Sequence, residues 1–104
     1  MLDHEQIAYL FDVTDSGNLT TLKLLRAGWD FDINIQDPSG NTLLLVAVRR
    51  NDKKTALYLL DNGADHTIPN RIGETPLVWA SFNKNEELTT LFLDNQRAAP
   101  KPHV

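Results

Sequence analysis

The 104-residue chain contains no cysteine, so it can hold no disulfide bond, thiolate nucleophile or cysteine-based zinc site. It also lacks an excess of basic residues, because 10 Lys and Arg stand against 14 Asp and Glu, for a formal charge of −4. A strong interface with DNA or RNA needs a basic face. We therefore expect no nucleic-acid partner.

Long apolar runs are absent as well. No window approaches the roughly 18 apolar residues of a membrane span, and the N-terminus lacks the basic segment and apolar run of a secretion signal. We expect a soluble chain with no membrane partner. The missing signal favours the cytoplasm, but a periplasmic or secreted chain whose signal has been removed fits the sequence too, so the compartment stays unknown.

Residue patterns that support catalysis are also missing. His4, His66 and His103 are far apart, and no serine lies in a Gly-x-Ser-x-Gly elbow. The five glycines are not clustered as in a phosphate-binding loop. We predict that the chain is not an enzyme and holds no cofactor or metal; a metal site at His66, beside Asp65, is the alternative.

What the chain does contain is an internal repeat with a period of 33 residues. The residues that recur at this spacing form five pairs: Asp32 and Asp65, Gly40 and Gly73, Thr42 and Thr75, Leu44 and Leu77, and Ala47 and Ala80. A period of this size is typical of stacked helical repeats. The chain length fits one domain with a single elongated core.

Two segments carry a resemblance to a known family. Residues 73–80, Gly-Glu-Thr-Pro-Leu-Val-Trp-Ala, are similar to the Gly-x-Thr-Pro-Leu-His-x-Ala motif of ankyrin repeats. Residues 58–65, Tyr-Leu-Leu-Asp-Asn-Gly-Ala-Asp, resemble the second helix and loop of that family, and a degenerate copy lies upstream between Gly17 and Asn34. The resemblance implies an all-α ankyrin-repeat solenoid of helix pairs with hairpin-like finger loops.

The resemblance also divides the chain. We expect an N-terminal capping repeat at residues 1–36, a central repeat at 37–69 and a C-terminal capping repeat at 70–95, together forming one domain. Residues 96–104 have two prolines and no apolar periodicity, so we predict a disordered tail, with a proline-bearing docking peptide as the alternative.

Turn and capping signals place the elements within these repeats. Finger one is predicted at residues 33–41 and finger two at residues 66–74, each with a glycine in its turn. Helices are predicted from near Asp3, where Gln6 completes a capping box, and at about 19–28, 42–50, 53–61, 75–83 and 86–93. The predicted core of the two later repeats is Leu44, Ala47, Ala56, Leu59, Leu60, Leu77, Trp79, Ala80, Leu88, Leu91 and Phe92.

Three departures from the family pattern affect the expected structure. Leu43 replaces the preferred proline, and Leu45 and Val78 replace the histidine that usually ties neighbouring loops together, which puts the rigidity of the fingers in question. The aromatic segment with Trp29 and Phe31 is predicted to cover the first helix pair; an exposed anchor for a partner is the alternative.

In ankyrin proteins the fingers and the first helix of each pair form a concave protein-binding face. The positions of this sequence that match it are Gln36, Pro38, Ser39, Asn41, Arg49, Arg50, Pro69, Arg71, Ile72, Glu74, Phe82 and Asn83. Arginine pairs well with carboxylate, so the three arginines predict a partner with carboxylates at its contact site. The two apolar residues, Ile72 and Phe82, are interpreted either as contacts or as local packing.

The resulting functional prediction is a protein–protein interaction module that binds a single partner and is monomeric when free. A more specific hypothesis is a dedicated inhibitor or immunity-type protein, which would block a cognate enzyme by inserting its finger tips around Pro38, Ser39, Arg71 and Ile72. The alternative is an adaptor or regulatory subunit that binds away from any active site.

Overall fold

The structure is a computed structural model that describes residues 1–98, with side chains described for residues 1–94. Six helices lie in this range: α1 His4–Asp15, α2 Leu19–Gly28, α3 Leu43–Arg49, α4 Lys53–Asp61, α5 Pro76–Phe82 and α6 Glu86–Ala98. Consecutive helices pack as pairs, α1 with α2, α3 with α4 and α5 with α6. Helix α3 also packs against α1 and α5, so the pairs stack in chain order. The all-α solenoid is confirmed.

Side-chain caps explain where the helices begin. Asp3 and Gln6 form the predicted capping box of α1, since the Asp3 carboxylate accepts the Gln6 backbone N–H at 2.8 Å and the Gln6 side chain accepts that of Asp3 at 3.0 Å. Thr42 caps α3 through the N–H of Leu45 at 3.1 Å, and Thr75 is the matching cap of α5. The threonine roles implied by the resemblance are therefore confirmed.

The core is continuous from α1 to α6 and is densest around α3. Of the predicted core, Leu44, Ala47, Ala56, Leu59, Ala80, Leu88 and Phe92 are buried, whereas Leu60, Leu77, Trp79 and Leu91 are half-buried and pack against it. Helix α3 is buried on nearly every side, because it lies between α1 and α5 and also contacts α4. Its buried residues missing from the prediction are Leu43, Leu45, Val46 and Val48. Each buried leucine contributes roughly 1.5–3 kcal/mol.

The aromatic segment after α2 covers the first helix pair, in agreement with the favoured interpretation. Phe31 is buried, and Trp29 is half-buried against the core with its ring 6.3 Å from that of Tyr9. Arg26 donates a hydrogen bond to the Phe31 carbonyl at 3.1 Å and lies over the Phe31 ring. This segment is therefore used in packing.

Helix α6 differs from the prediction at its end. It continues to Ala98, beyond the predicted end at residue 93 and into the predicted disordered tail at 96–104. Gln, Arg and Ala at 96–98 are strong helix formers, and the first proline comes only at position 100. The helix therefore persists where apolar periodicity has stopped. The rest of the predicted tail, 99–104, lies outside the described residues.

Candidate functional site

Finger one is held by an aspartate that binds its own turn. The Asp37 carboxylate accepts the backbone N–H groups of Ser39 at 3.0 Å and Asn41 at 2.9 Å, and it also accepts the Asn41 side-chain amide at 3.2 Å. Gly40 completes the turn with φ of 83°, a backbone region in which glycine is unstrained. The turn is therefore specified by the Asp37 side chain together with one glycine.

Finger two repeats this turn with asparagine in place of aspartate. The Asn70 side-chain oxygen accepts the backbone N–H groups of Ile72 at 3.1 Å and Glu74 at 2.8 Å, and Gly73 has φ of 86°. The Asn70 amide, which Asp37 has no counterpart for, donates to the Glu74 carboxylate at 2.8 Å. The two fingers thus have the same shape, but only the second has a side-chain donor left for its neighbour.

That donor ties the fingers together. The Asn70 amide also donates to the side-chain oxygen of Asn41 at 3.0 Å, and both residues are buried. The backbone N–H of Arg71 donates to the Ser39 carbonyl at 3.0 Å, so the contact continues to the finger tips. A buried, satisfied polar network favours one arrangement of the groups that it joins. These bonds do the work of the missing histidine, which answers the question of rigidity raised by Leu45 and Val78.

Between the finger tips and α3 lies a cavity of about 510 Å³, which we call the finger groove. It is lined by Pro38, Ser39, Asn41, Arg49, Asn70, Arg71, Ile72 and Glu74. All of these except Asn70 belong to the predicted set. Arg49 and Arg71 supply the positive charge of the groove, and within residues 1–94 the ion pair found is a different one, between Lys53 and Glu87 at 2.7 Å.

Beside the groove lies an apolar edge, made by Ile72 of finger two and by Val78, Trp79 and Phe82 of α5. The exposed fractions of Ile72, Val78 and Phe82 are 79%, 51% and 73%, which are high for such large apolar side chains. Val78, Trp79 and Phe82 share a cavity of about 260 Å³ with Glu74, which lines the finger groove as well. The polar groove and the apolar edge therefore form one continuous surface.

Trp79 corrects a core prediction. It is only half-buried: it packs against the core, but it also lines the cavity of the apolar edge, where its ring meets that of Phe82 edge-on at 5.3 Å. Its indole N–H is buried without an acceptor among the described residues. The sequence motif alone could not show this, because the exposure depends on what lies beside α5.

Three predicted contact residues serve the fold instead. Asn41 is buried in the network between the fingers, so it presents little surface to a partner. Arg50 donates to the carbonyl of Asp15 at the end of α1, which directs its charge away from the finger groove. Asn83 donates to the carbonyls of Val48 at 3.0 Å and Arg49 at 3.4 Å, and so caps the end of α3. These partners come from other repeats, which is why sequence position suggested free side chains.

Gln36 and Pro69, also predicted as contacts, lie at the base of the fingers. The Gln36 side chain donates to the Gly40 carbonyl at 2.7 Å and to the Pro69 carbonyl at 3.4 Å. Both residues are exposed and line a separate cavity of about 350 Å³. Conversely, Asn70 and Val78 belong to the surface but were not predicted; the signal for Asn70 was its register with Asp37, 33 residues earlier.

The second loop segment has a distinct electrostatic feature at Asp65. Hydrogen bonds from the Thr67 hydroxyl at 2.6 Å and backbone N–H at 2.9 Å hold the pKa of the Asp65 carboxyl below its ordinary value, because they stabilise the ionised form. The neighbouring His66 ring stacks on Phe92 at 5.1 Å. Across residues 1–94 no cluster of three potential metal ligands occurs, so the alternative of a metal site at His66 gains no support.

Comparison with known proteins gives a consistent result. A family model for ankyrin repeats in three copies matches residues 10–102. The chain is 36% identical over 74 residues to the ankyrin repeat protein L271 of Acanthamoeba polyphaga mimivirus, covering 71% of this chain and 10% of that protein. It is 37% identical over 78 residues to an ankyrin repeat protein of Rickettsia bellii, covering 70% of this chain and 46% of that protein.

A solved structure is similar as well. The crystal structure of EF0377, an ankyrin repeat protein, superposes with a TM-score of 0.72 at 26% identity, over 81% of this chain and 45% of that one. The chain therefore spans less than half the length of each of these proteins. Within the described residues, no helix has the length and apolar character needed to cross a bilayer.

Proposed function

Since this chain belongs to the ankyrin-repeat family, whose repeats are generally protein–protein interaction modules and typically non-enzymatic, we propose that it binds a single protein partner through the finger groove and the apolar edge. The observation that carries this proposal is the exposure of Ile72, Val78 and Phe82 on the last helix pair. A terminal repeat needs a polar outer face to stay soluble. Helix α6 meets this requirement with Glu86 and Glu87, whereas α5 does not.

The energetics of the surface also favour a protein partner. Covering a large apolar side chain yields roughly 1.5–3 kcal/mol, so three such residues supply a substantial part of a binding free energy. Arginine and tryptophan are enriched among interface hot spots, and Arg49, Arg71 and Trp79 adjoin the exposed apolar residues. The surface therefore combines an apolar centre with charged groups that can select the partner.

More specifically, the protein would act as a dedicated inhibitor of an enzyme, with one monomer of this chain per enzyme molecule. The tips of the two fingers are exposed at Pro38, Ser39, Arg71 and Ile72, and the Asn41–Asn70 network holds them in register. A loop that is already rigid loses little conformational entropy on binding. Paired rigid tips are therefore suited to insertion into an active-site cleft. An adaptor that binds elsewhere on its partner is the alternative.

The first test is an affinity pull-down from the native host, using the natural chain and a quadruple variant, Arg49→Ala, Arg71→Ala, Ile72→Ala and Phe82→Ala. The matched control carries Lys23→Ala, Leu24→Ala, Lys54→Ala and Leu93→Ala, which remove two cations and two exposed apolar side chains from the second helices. We expect one protein to bind the natural chain and the control but not the quadruple variant. Equal binding to all three would place the interface elsewhere.

The identified partner then distinguishes inhibitor from adaptor. If it is an enzyme, its activity should fall stoichiometrically as the purified chain is added and should be retained with the quadruple variant. Full activity at saturating amounts of the chain would reject inhibition and leave the adaptor alternative. Circular dichroism of every variant ensures that loss of binding is not loss of folding.

A further inference from the structure

The two arginines of the finger groove are available to a ligand because the carboxylates nearest to them are already used. The Asp37 carboxylate accepts hydrogen bonds from Ser39 and Asn41, and the Glu74 carboxylate accepts one from Asn70. Among residues 1–94, neither Arg49 nor Arg71 forms an ion pair. The groove thus presents two guanidinium groups on a protein whose net charge is negative.

Arg71 is also held in position. Its backbone N–H is bonded to the Ser39 carbonyl, and the start of its side chain passes over Gly40, where a Cβ would lie 3.2 Å from the Arg71 Cγ. Arg49 is half-buried, so its guanidinium group is less screened by water than a fully exposed one. Both features favour a fixed anion partner, since bidentate pairing with a carboxylate demands a defined geometry.

The apolar edge begins where the groove ends. Ile72 follows Arg71 directly and lines the groove with it, and Glu74 lines both cavities, so there is no gap between charge and apolar surface. A ligand that satisfies the arginines therefore passes over Ile72 towards Val78 and Phe82. Residues adjacent along an extended peptide are about 3.3 Å apart, which matches such a short step better than two separate surfaces of a partner would.

From this arrangement we infer that the finger groove and the apolar edge together bind one linear segment of the partner, in which an acidic side chain is followed within a few residues by a bulky apolar one. The inference rests on the proposed function, because it names the chemistry of the partner at the same surface. The carboxylate pairs with Arg49 and Arg71, and the apolar side chain covers Val78 and Phe82. A basic segment would leave both arginines unpaired beside like charge.

A random 12-residue peptide library displayed on phage tests the inference with the full chain as bait. We expect the selected peptides to carry Asp or Glu one to four residues from Leu, Ile, Phe or Trp. For a synthetic copy of the best peptide, Arg49→Gln with Arg71→Gln should raise the Kd about tenfold or more, the range expected for charge-assisted hydrogen bonds. Lys23→Gln with Lys54→Gln removes the same net charge and should leave the Kd within about twofold.

A charge swap sharpens the result. The peptide with its acidic residues changed to Lys should bind the Arg49→Glu, Arg71→Glu variant more tightly than it binds the natural chain. Selected peptides without acidic bias, or an equal effect of both glutamine pairs, would overturn the inference. So would a natural chain that is dimeric by light scattering and monomeric as Phe82→Gln, because a second copy would then occupy the apolar edge.

Failure of this inference is distinguishable from failure of the proposed function. If no peptide is selected, the linear-segment inference is overturned, yet a folded partner captured in the pull-down and lost with the quadruple variant would still support the proposed function. If neither peptide nor partner depends on this surface, both fail.

Discussion

Two units of this molecule share one motif but differ in what covers them. The inner unit consists of finger one with α3 and α4, and the outer unit of finger two with α5 and α6. Leu45 and Val78 occupy the same position, 33 residues apart, yet Leu45 is 0% exposed and Val78 is 51% exposed. Helix α3 packs between α1 and α5, whereas the main contacts of α5 are α3 and α6.

The glycines of the two finger turns show the same difference. A Cβ at Gly40 would lie 2.9 Å from the backbone N of Arg71, whereas a Cβ at Gly73 would meet nothing within 4 Å. Finger one is therefore covered by finger two, and finger two is open. The neighbour of a repeat, more than its own residues, decides whether a position packs into the core or stays available for binding.

The largest predicted contrast is between Leu45→Ala and Val78→Ala. Truncating a fully buried leucine removes its burial and leaves a cavity, so we expect a loss of about 2–5 kcal/mol in the free energy of unfolding. Truncating half-exposed Val78 should cost less than about 1 kcal/mol. Urea denaturation followed by circular dichroism measures both. Similar losses at the two positions would mean that α5 is covered as α3 is, contrary to the comparison.

The next contrast is between the two turn glycines. Gly40→Ala and Gly73→Ala both force alanine into a positive φ, which costs about 1–2 kcal/mol. Only Gly40→Ala also clashes with the backbone of the neighbouring finger, for which overpacking adds about 1 kcal/mol or more. We therefore expect the larger loss of stability at Gly40, again by urea denaturation. Equal losses would show that the two fingers separate freely in solution.

How much of this could be foreseen follows from where the signals lie. The caps by Asp3, Thr42 and Thr75 and the turns at Gly40 and Gly73 are local, so the sequence predicted them. The finger groove was also predicted nearly complete, because its residues sit at repeated positions.

The predictions that failed depend on neighbouring repeats. Arg50 binds Asp15 of α1, Asn83 binds the end of α3, and Asn41 is buried by Asn70 of the next finger. Each partner is 29 or more residues away in the sequence. A periodic motif gives the position of a side chain within its own repeat, but it does not say which side chain of the next repeat will reach it.

A smaller contrast lies at the corners before the second helices. Asn51 of the inner unit and Lys84 of the outer unit have φ of 60° and 57°, where lysine is strained and glycine is not. Lys84→Gly should therefore stabilise the fold by up to about 1 kcal/mol. Asn51→Gly should give no gain, because it removes the 2.7 Å hydrogen bond from Asn85. Thermal unfolding of both variants checks the sign, and a destabilised Lys84→Gly would contradict the strain argument.

The smallest predicted effect concerns the pH dependence at Asp65, the counterpart of Asp32. Because the folded chain lowers the pKa of Asp65, its carboxylate contributes stability that is present above about pH 4 and is lost as the pH falls through the folded value. Thr67→Val removes the 2.6 Å hydroxyl bond and should raise this pKa, whereas Thr67→Ser keeps the hydroxyl and should not. A carboxyl NMR titration of the three chains measures the pKa directly. Unfolding at pH 6 should show a deficit for Thr67→Val that shrinks as the pH falls towards 2; a deficit that is constant with pH would assign the effect to lost packing.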